Sequence, residues 1–151
     1  MRYFILIALL FVSVPTYAQD VFNPEGLWLT ENERSVIKVE KCGEAMHKLC
    51  GSIHWIIEGG MQKDSKNPDE SKRNQPMCGL QIIKGLKQSP YKPNIWRDGE
   101  IYKADDGDTY DAKIEMVDEN TMELRGYMSI SLLGKSQTWT RVDAKKYPRC
   151  Q

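Results

Sequence analysis

The densest grouping of chemically capable side chains is Asp64-Ser65-Lys66-Asn67-Pro68-Asp69, followed by Arg73. Asp64, Asn67 and Asp69 offer oxygens to a cation. The spacing nevertheless fails as an EF-hand loop, because its third and fifth positions are Lys66 and Pro68. A self-capped loop accounts for the same residues: Asx turns at Asp64 and Asn67, with Arg73 paired to a carboxylate. The functional alternative is a lid over a binding site, since long loops often carry function. A second acidic run, Asp105-Asp106-Gly107-Asp108 with Asp111 nearby, is explained by a tight hairpin turn.

His47 and His54 are the only histidines. Nucleophilic catalysis needs a positioned base beside a nucleophile. His54 falls on the polar face of an expected strand, and His47 lies between Cys42 and Cys50 at an expected hairpin tip. No G-x-S-x-G, P-loop, G-x-G-x-x-G, H-E-x-x-H or C-x-x-C-H is present. The sequence therefore names no catalytic residue and calls for no cofactor. The chain reads as a non-enzyme, with an unidentified hydrolase as the alternative. The four cysteines, Cys42, Cys50, Cys78 and Cys150, contain no C-x-x-C, which speaks against zinc and against a redox-active pair. No metal site is expected.

Two disulfides are the remaining use for four cysteines, provided that the chain is exported. Residues 1–18 read as a secretory signal: Arg2, an apolar run from Tyr3 to Val14, and a small-residue cleavage site at Thr16-Tyr17-Ala18. The run is shorter than the roughly 20 residues that span a bilayer. Three pairings are possible. Cys42 with Cys50 staples one hairpin, which leaves Cys78 with Cys150, and this pairing is the expectation. Removal of residues 1–18 takes away Arg2 and no acid, so the domain over 19–151 stays near zero net charge. That argues against nucleic acid, which wants a basic stripe. No second long apolar segment follows, so no transmembrane segment is expected in the mature chain.

Strands must position these groups. Tyr110–Met116 and Met122–Ile130 alternate apolar and polar at period two, with Asp118-Glu119-Asn120 as the turn between them. Gly26–Thr30, Ser35–Lys41, Ser52–Glu58, Ile95–Tyr102 and Ser136–Val142 add five more. Leu80–Leu86 reads equally as a strand or a helical turn. The stretch from Gly59 to Met77, with Pro68 and Pro76, is one long irregular loop. Seven or eight short strands in one small domain fit a closed barrel or a sandwich. The expected inward set is Trp28, Ile37, Val39, Ile53, Trp55, Ile57, Ala112, Ile114, Met116, Met122, Leu124, Met128 and Ile130.

Beyond composition, Gly26-Leu27-Trp28 is a G-x-W on the first strand, and Trp139-Thr140-Arg141 ends the last. This resembles the calycin superfamily of lipocalins, fatty-acid-binding proteins and avidins. The resemblance implies that Trp28 plugs one barrel end and Arg141 packs across its indole, a cation–π contact of roughly 0.5–2 kcal/mol. Residues 26–142 also resemble the exported bacterial proteins of domain-of-unknown-function family 2147. The matching stretches include Gly26–Thr30, Asp64–Asp69, Arg73-Asn74-Gln75-Pro76, Asp106–Tyr110 and Leu132–Arg141. This resemblance implies export and an all-β, small antiparallel lipocalin-like barrel of about eight strands with one long loop. It supplies no catalytic residues.

The expected function is a periplasmic or secreted binding protein. Trp28, Trp55, Ile114, Met116 and Met128 are the candidate contacts to a small, partly apolar ligand, and the loop residues Asp64, Asn67, Asp69 and Arg73 border or flank the end opposite the one closed by Trp28 and Arg141. The alternative is an interaction module with a filled barrel, whose loops contact an envelope protein.

Overall fold

The computed structural model describes residues 20–59 and 62–150. The expected signal segment, 1–18, lies outside them. The chain forms eight strands: β1 (Gly26–Leu29), β2 (Ser35–Cys42), β3 (Lys48–Ile56), β4 (Gln81–Gln88), β5 (Ile95–Lys103), β6 (Asp108–Met116), β7 (Thr121–Tyr127) and β8 (Lys135–Arg141). They close into an antiparallel barrel in chain order, with β8 returning to pair with β1. The ambiguous Leu80–Leu86 segment is β4. Ladder partners on both sides, Leu49 opposite Leu86 and Ile83 opposite Ile101, decide the ambiguity that local periodicity leaves open. The expected hairpin around Asp118–Asn120 forms, with Met116 opposite Met122 and Asp111 opposite Tyr127.

Both disulfides take the expected pairing. Cys42–Cys50 closes the β2–β3 hairpin, and Cys78–Cys150 joins the long loop to the chain's end. Among the described residues no helix is long and apolar enough to cross a membrane.

The up-and-down topology gives the barrel two distinct ends. One end gathers the turns after β2, β4 and β6, together with the segment leading into β1. There Trp28, Leu49, Leu86, Trp96, Met116 and Met122 are all buried in one cluster. The other end, the mouth, gathers the connections after β1, β3, β5 and β7.

Four residues of the expected inward set lie elsewhere. Val36 pairs with Trp55 while Ile37 pairs with Ile53, so His54 is an extra residue on β3. This bulge resets the alternation. Ile53 and Ile56 face the core, and Trp55, half-buried, does not. Ile57 follows the end of β3 and is 45% exposed. Met128 and Ile130 follow β7, which ends at Tyr127. Ser129, at φ 63°, turns the chain there. Met128 and Ile130 are therefore exposed in the connection to β8.

Candidate functional site

The mouth half of the barrel encloses a cup of about 760 Å³. Ile37, Ile53, Ile56, Ile82 and Ile101 form much of its apolar wall, with Leu124 and Trp139 deeper in. Trp139 is buried, and its indole N–H donates to Gln137 Oε1 at 2.9 Å. Tyr102, Tyr110 and Tyr127 bring phenol rings to the same space. Gly126 on β7 leaves the wall thin. A Cβ placed there meets Ile101 at 3.5 Å and Tyr110 at 3.8 Å, ordinary contacts, so this glycine is spare volume rather than a conformational need.

Charged groups ring the opening. Arg34, before β2, lies 3.5 Å from Glu58 and 3.6 Å from Asp105. The β1–β2 and β5–β6 connections are opposite corners of an eight-strand ring. The Arg34–Asp105 pair therefore joins corners that are not neighbours in strand order. Both side chains are well exposed, and such a pair contributes roughly 0–1 kcal/mol.

The long loop borders this mouth through Gln62 and Met77. Its anchor is Asp64, which is fully buried. Tyr102 Oη donates to Asp64 Oδ1 at 2.6 Å. Asn67 Nδ2 and Gln75 Nε2 donate to Oδ2 at 2.6 and 3.1 Å. Burial alone would raise the Asp64 carboxyl. The hydrogen bonds from Asn67, Tyr102 and Gln75 together outweigh it and hold the group below the usual carboxylate range. The Tyr102 hydroxyl, desolvated and bonded to that carboxylate, is pushed up to about 12. A second fastening is Gly107, in the β5–β6 turn at φ 83°. Any Cβ there would stand 2.1 Å from the Lys66 carbonyl oxygen. Loop and hairpin thus meet backbone to backbone, which only glycine permits.

The four loop candidates serve each other. Asn67 Oδ1 accepts from Asp69 N at 2.9 Å, Arg73 Nε donates to the Asn67 carbonyl at 2.9 Å, and Arg73 also pairs with Glu70 at 3.1 Å. Asp69 caps the short turn at Ser71 N at 3.0 Å. The Ser71 hydroxyl, and then Lys72, hold the Asp69 carboxyl below its usual range. The side chains of Asp64 and Asn67 converge and Arg73 braces the Asn67 carbonyl, whereas the Asp69 carboxylate turns to Ser71. This is a self-capped loop whose buried carboxylate is clipped to the wall of the cup. Of the apolar candidates, Ile114 and Met116 are buried with Trp28 at the closed end and do not line the cup, nor does Trp55. Met128 stands at the rim.

At the closed end, Arg141 Cζ lies 4.3 Å above the Trp28 ring. Its guanidinium donates to the carbonyls of Glu119 and Glu25, each at 2.7 Å, and of Asn23 at 2.5 Å. Gly26 explains the first letter of the G-x-W. Its φ is 142°, and a Cβ would fall 2.5 Å from Arg141 Nη1. The histidines lie outside the cup. His54 Nε2 donates to the Tyr147 carbonyl at 3.0 Å, where the chain's end docks on β3, and His47 is exposed at the β2–β3 hairpin tip.

Sequence reasoning passed over Tyr102, Tyr110, Gln137 and Lys135. The signal for the last two was present. Lys135 and Gln137 sit two residues apart on the register that brings Trp139 inward.

An antiparallel eight-strand barrel in chain order, packed at one end and hollow at the other, is a lipocalin-like architecture. Protein HP1028 from the human pathogen Helicobacter pylori, described as belonging to the lipocalin family, is similar to it in fold. The TM-score is 0.74 at 20% identity, covering 87% of this chain and 94% of that one. More particularly, the chain belongs to the bacterial family DUF2147, described as an uncharacterized protein conserved in bacteria, whose model matches residues 26–141. No curated protein matches the chain.

Proposed function

We propose that this is an exported lipocalin-like binding protein that holds a small, partly apolar ligand in the mouth half of the barrel. The cup carries the reading. Protein interiors pack densely, with few voids larger than a water, and Trp28, Leu49, Leu86, Trp96, Met116 and Met122 are buried together at the closed end. A hollow of about 760 Å³ beside it falls within the roughly 300–1,000 Å³ typical of small-molecule sites, apolar in wall with a few placed polar groups. Two disulfides support a periplasmic or secreted location, because such bonds persist in oxidising compartments.

The test is titration of the folded protein with N-phenyl-1-naphthylamine, a neutral fluorescent apolar probe. Saturable binding at one site is expected, with energy transfer from Trp139. In Gly126→Val the branched side chain enters the cup, and probe binding should fall at least tenfold while the far-ultraviolet dichroism and melt stay close to wild type. Probe fluorescence that rises only on unfolding, or that ignores Gly126→Val, overturns the reading.

A second reading has an observation of its own. Met128, Ile130, Leu132 and Leu133 are 69, 54, 82 and 75% exposed. They form an apolar lip between β7 and β8, and contiguous exposed apolar surface marks interaction sites. On this reading the lip contacts an envelope protein. Photo-crosslinking from position 132 in the native envelope should then give one discrete adduct, and a diffuse or empty pattern removes the idea.

A further inference from the structure

Resting on the cup as a ligand site, we propose that its ligand is an amphiphile with a single anionic head group: the alkyl part lies against the isoleucine wall, and the head sits at Lys135. Strand β8 carries the argument. Its inward register runs from Trp139, buried deep in the cup, through Gln137 to Lys135 at the mouth. Along 6–7 Å of strand per step of two residues, the surface thus changes from apolar indole to amide to ammonium. That gradient matches an amphiphile lying lengthwise.

The charges of the mouth single out Lys135. Arg34 is held by Glu58 and Asp105, and Lys103 by Asp106. Lys135 makes no ion pair among the described residues. It cannot find an acid nearby in sequence either, because no Asp or Glu occurs from Leu124 to Val142. Directly opposite on β7 stands Gly126, which has no side chain to answer it. Among the described residues the cup therefore presents one cation without an ion pair, beside the wall that Gly126 leaves thin. A cationic or neutral head would leave Lys135 unanswered, and a dianion would bring one charge more than the single ammonium answers, into a mouth also lined by Glu58 and Asp105.

Displacement of bound N-phenyl-1-naphthylamine tests this with chain-matched competitors below their micellar concentrations: dodecanoate, dodecyl sulfate, dodecanol and dodecyltrimethylammonium. Dodecanoate and dodecyl sulfate should displace the probe at concentrations at least tenfold below dodecanol, with dodecyltrimethylammonium weakest. The advantage should shrink as salt rises. Lys135→Gln should remove the tenfold preference and leave dodecanol unchanged, and Lys135→Arg should restore it. Lys135 is exposed, so neither variant threatens folding, and the probe's own affinity reports an intact cup. Dodecanol competing as well as dodecanoate, or a preference that survives Lys135→Gln, overturns the head-group assignment and leaves the cup standing. A cup that binds the probe but releases it to no alkyl competitor overturns the assignment as well. Failure of the probe to bind at all overturns the cup reading, and the assignment with it.

Discussion

Tyr102→Phe isolates the clip between the long loop and the barrel. The ring keeps its place in the wall, and only the hydroxyl that bonds Asp64 at 2.6 Å is lost. Asp64 is fully buried, so water cannot replace that donor without opening the loop. Two donors remain, Asn67 and Gln75. A hydrogen bond to a charged group contributes about 1.5–3 kcal/mol, and a cost near 2 kcal/mol is expected. If the loop and barrel unfold together, the melting midpoint should fall by roughly 8 °C, at about 4 °C per kcal/mol for a domain of this size. If the loop opens by itself, the midpoint holds and local opening rises instead. Two kcal/mol then corresponds to a roughly 30-fold faster tryptic cut at Lys66, Lys72 or Arg73, all exposed. Scanning calorimetry and limited trypsinolysis on the same preparation separate the two cases. Pairing the change with Asp64→Asn in a double-mutant cycle should give a coupling above about 1 kcal/mol. A melt within about 1 °C of wild type, together with cleavage within about twofold, would refute the clip.

The clip also predicts a pH response at each side. The folded Asp64 carboxyl lies below its ordinary 3.8, so its contribution is present above that value and fades as the pH falls through the depressed one. Acid should accelerate peptic cutting of the loop in wild type more than in Asp64→Asn. Tyr102, raised from 10.0 to about 12, stabilises the fold below pH 10 and ceases to as the pH rises through 12. The absorbance of wild type at 295 nm should exceed that of Tyr102→Phe only near pH 12. Arg141→Lys keeps the charge but loses the planar fork over Trp28 and at least one backbone carbonyl. It should cost about 3 kcal/mol, read as a lower urea midpoint with an unchanged slope. Serine replacement of Cys78 and Cys150, which close 72 residues, should destabilise by about 4 kcal/mol, against about 2.5 for Cys42 and Cys50, which close 8. Equal midpoints for the two double variants would contradict the loop-entropy account.

Period-two alternation made most of the strands legible, and the hairpin at Asp118–Asn120 came with its turn; alternation alone left barrel and sandwich open, and the barrel came from the resemblance to the calycin superfamily. Wherever a tertiary event resets the local pattern, the reading failed. His54 is one extra residue on β3, and it turns Trp55 outward and Ile56 inward. Nothing in Ile53-His54-Trp55-Ile56-Ile57 marks that slip, because both faces of the stretch carry large apolar groups. Met122–Ile130 alternates without a break, yet Ser129 adopts a positive φ and the strand ends at Tyr127. The site suffered more than the fold for a related reason. Trp28, Ile114 and Met116 are as apolar as Ile82 and Ile101. Which of them line space and which fill it depends on their depth along the barrel axis, and depth follows from register between strands far apart in sequence. Asp64 shows the converse case. The loop's internal logic was readable from its Asx-turn residues, while its burial required Tyr102, 38 residues away.

The two ends of the barrel divide the work. An up-and-down barrel of eight strands is wide enough to be filled by side chains, as happens around Trp28, and filling both halves would be the more stable arrangement. Leaving one half hollow forfeits contacts there, and the stabilisation has to come from elsewhere. It comes from two places outside the cup. At the closed end Arg141 ties β8 to the segment before β1 and to the β6–β7 turn through three backbone carbonyls. Around the mouth, Asp64, Gly107 and the Cys78–Cys150 bond fix the long loop and the chain's end against β3, β5 and β6. None of these braces spends a cup-facing side chain except the Tyr102 hydroxyl, which it turns away from any ligand. On the wall, Lys135 makes no ion pair among the described residues, while Gln137 accepts from the Trp139 indole N–H. A barrel built only for its own stability would have filled the space beside Gly126.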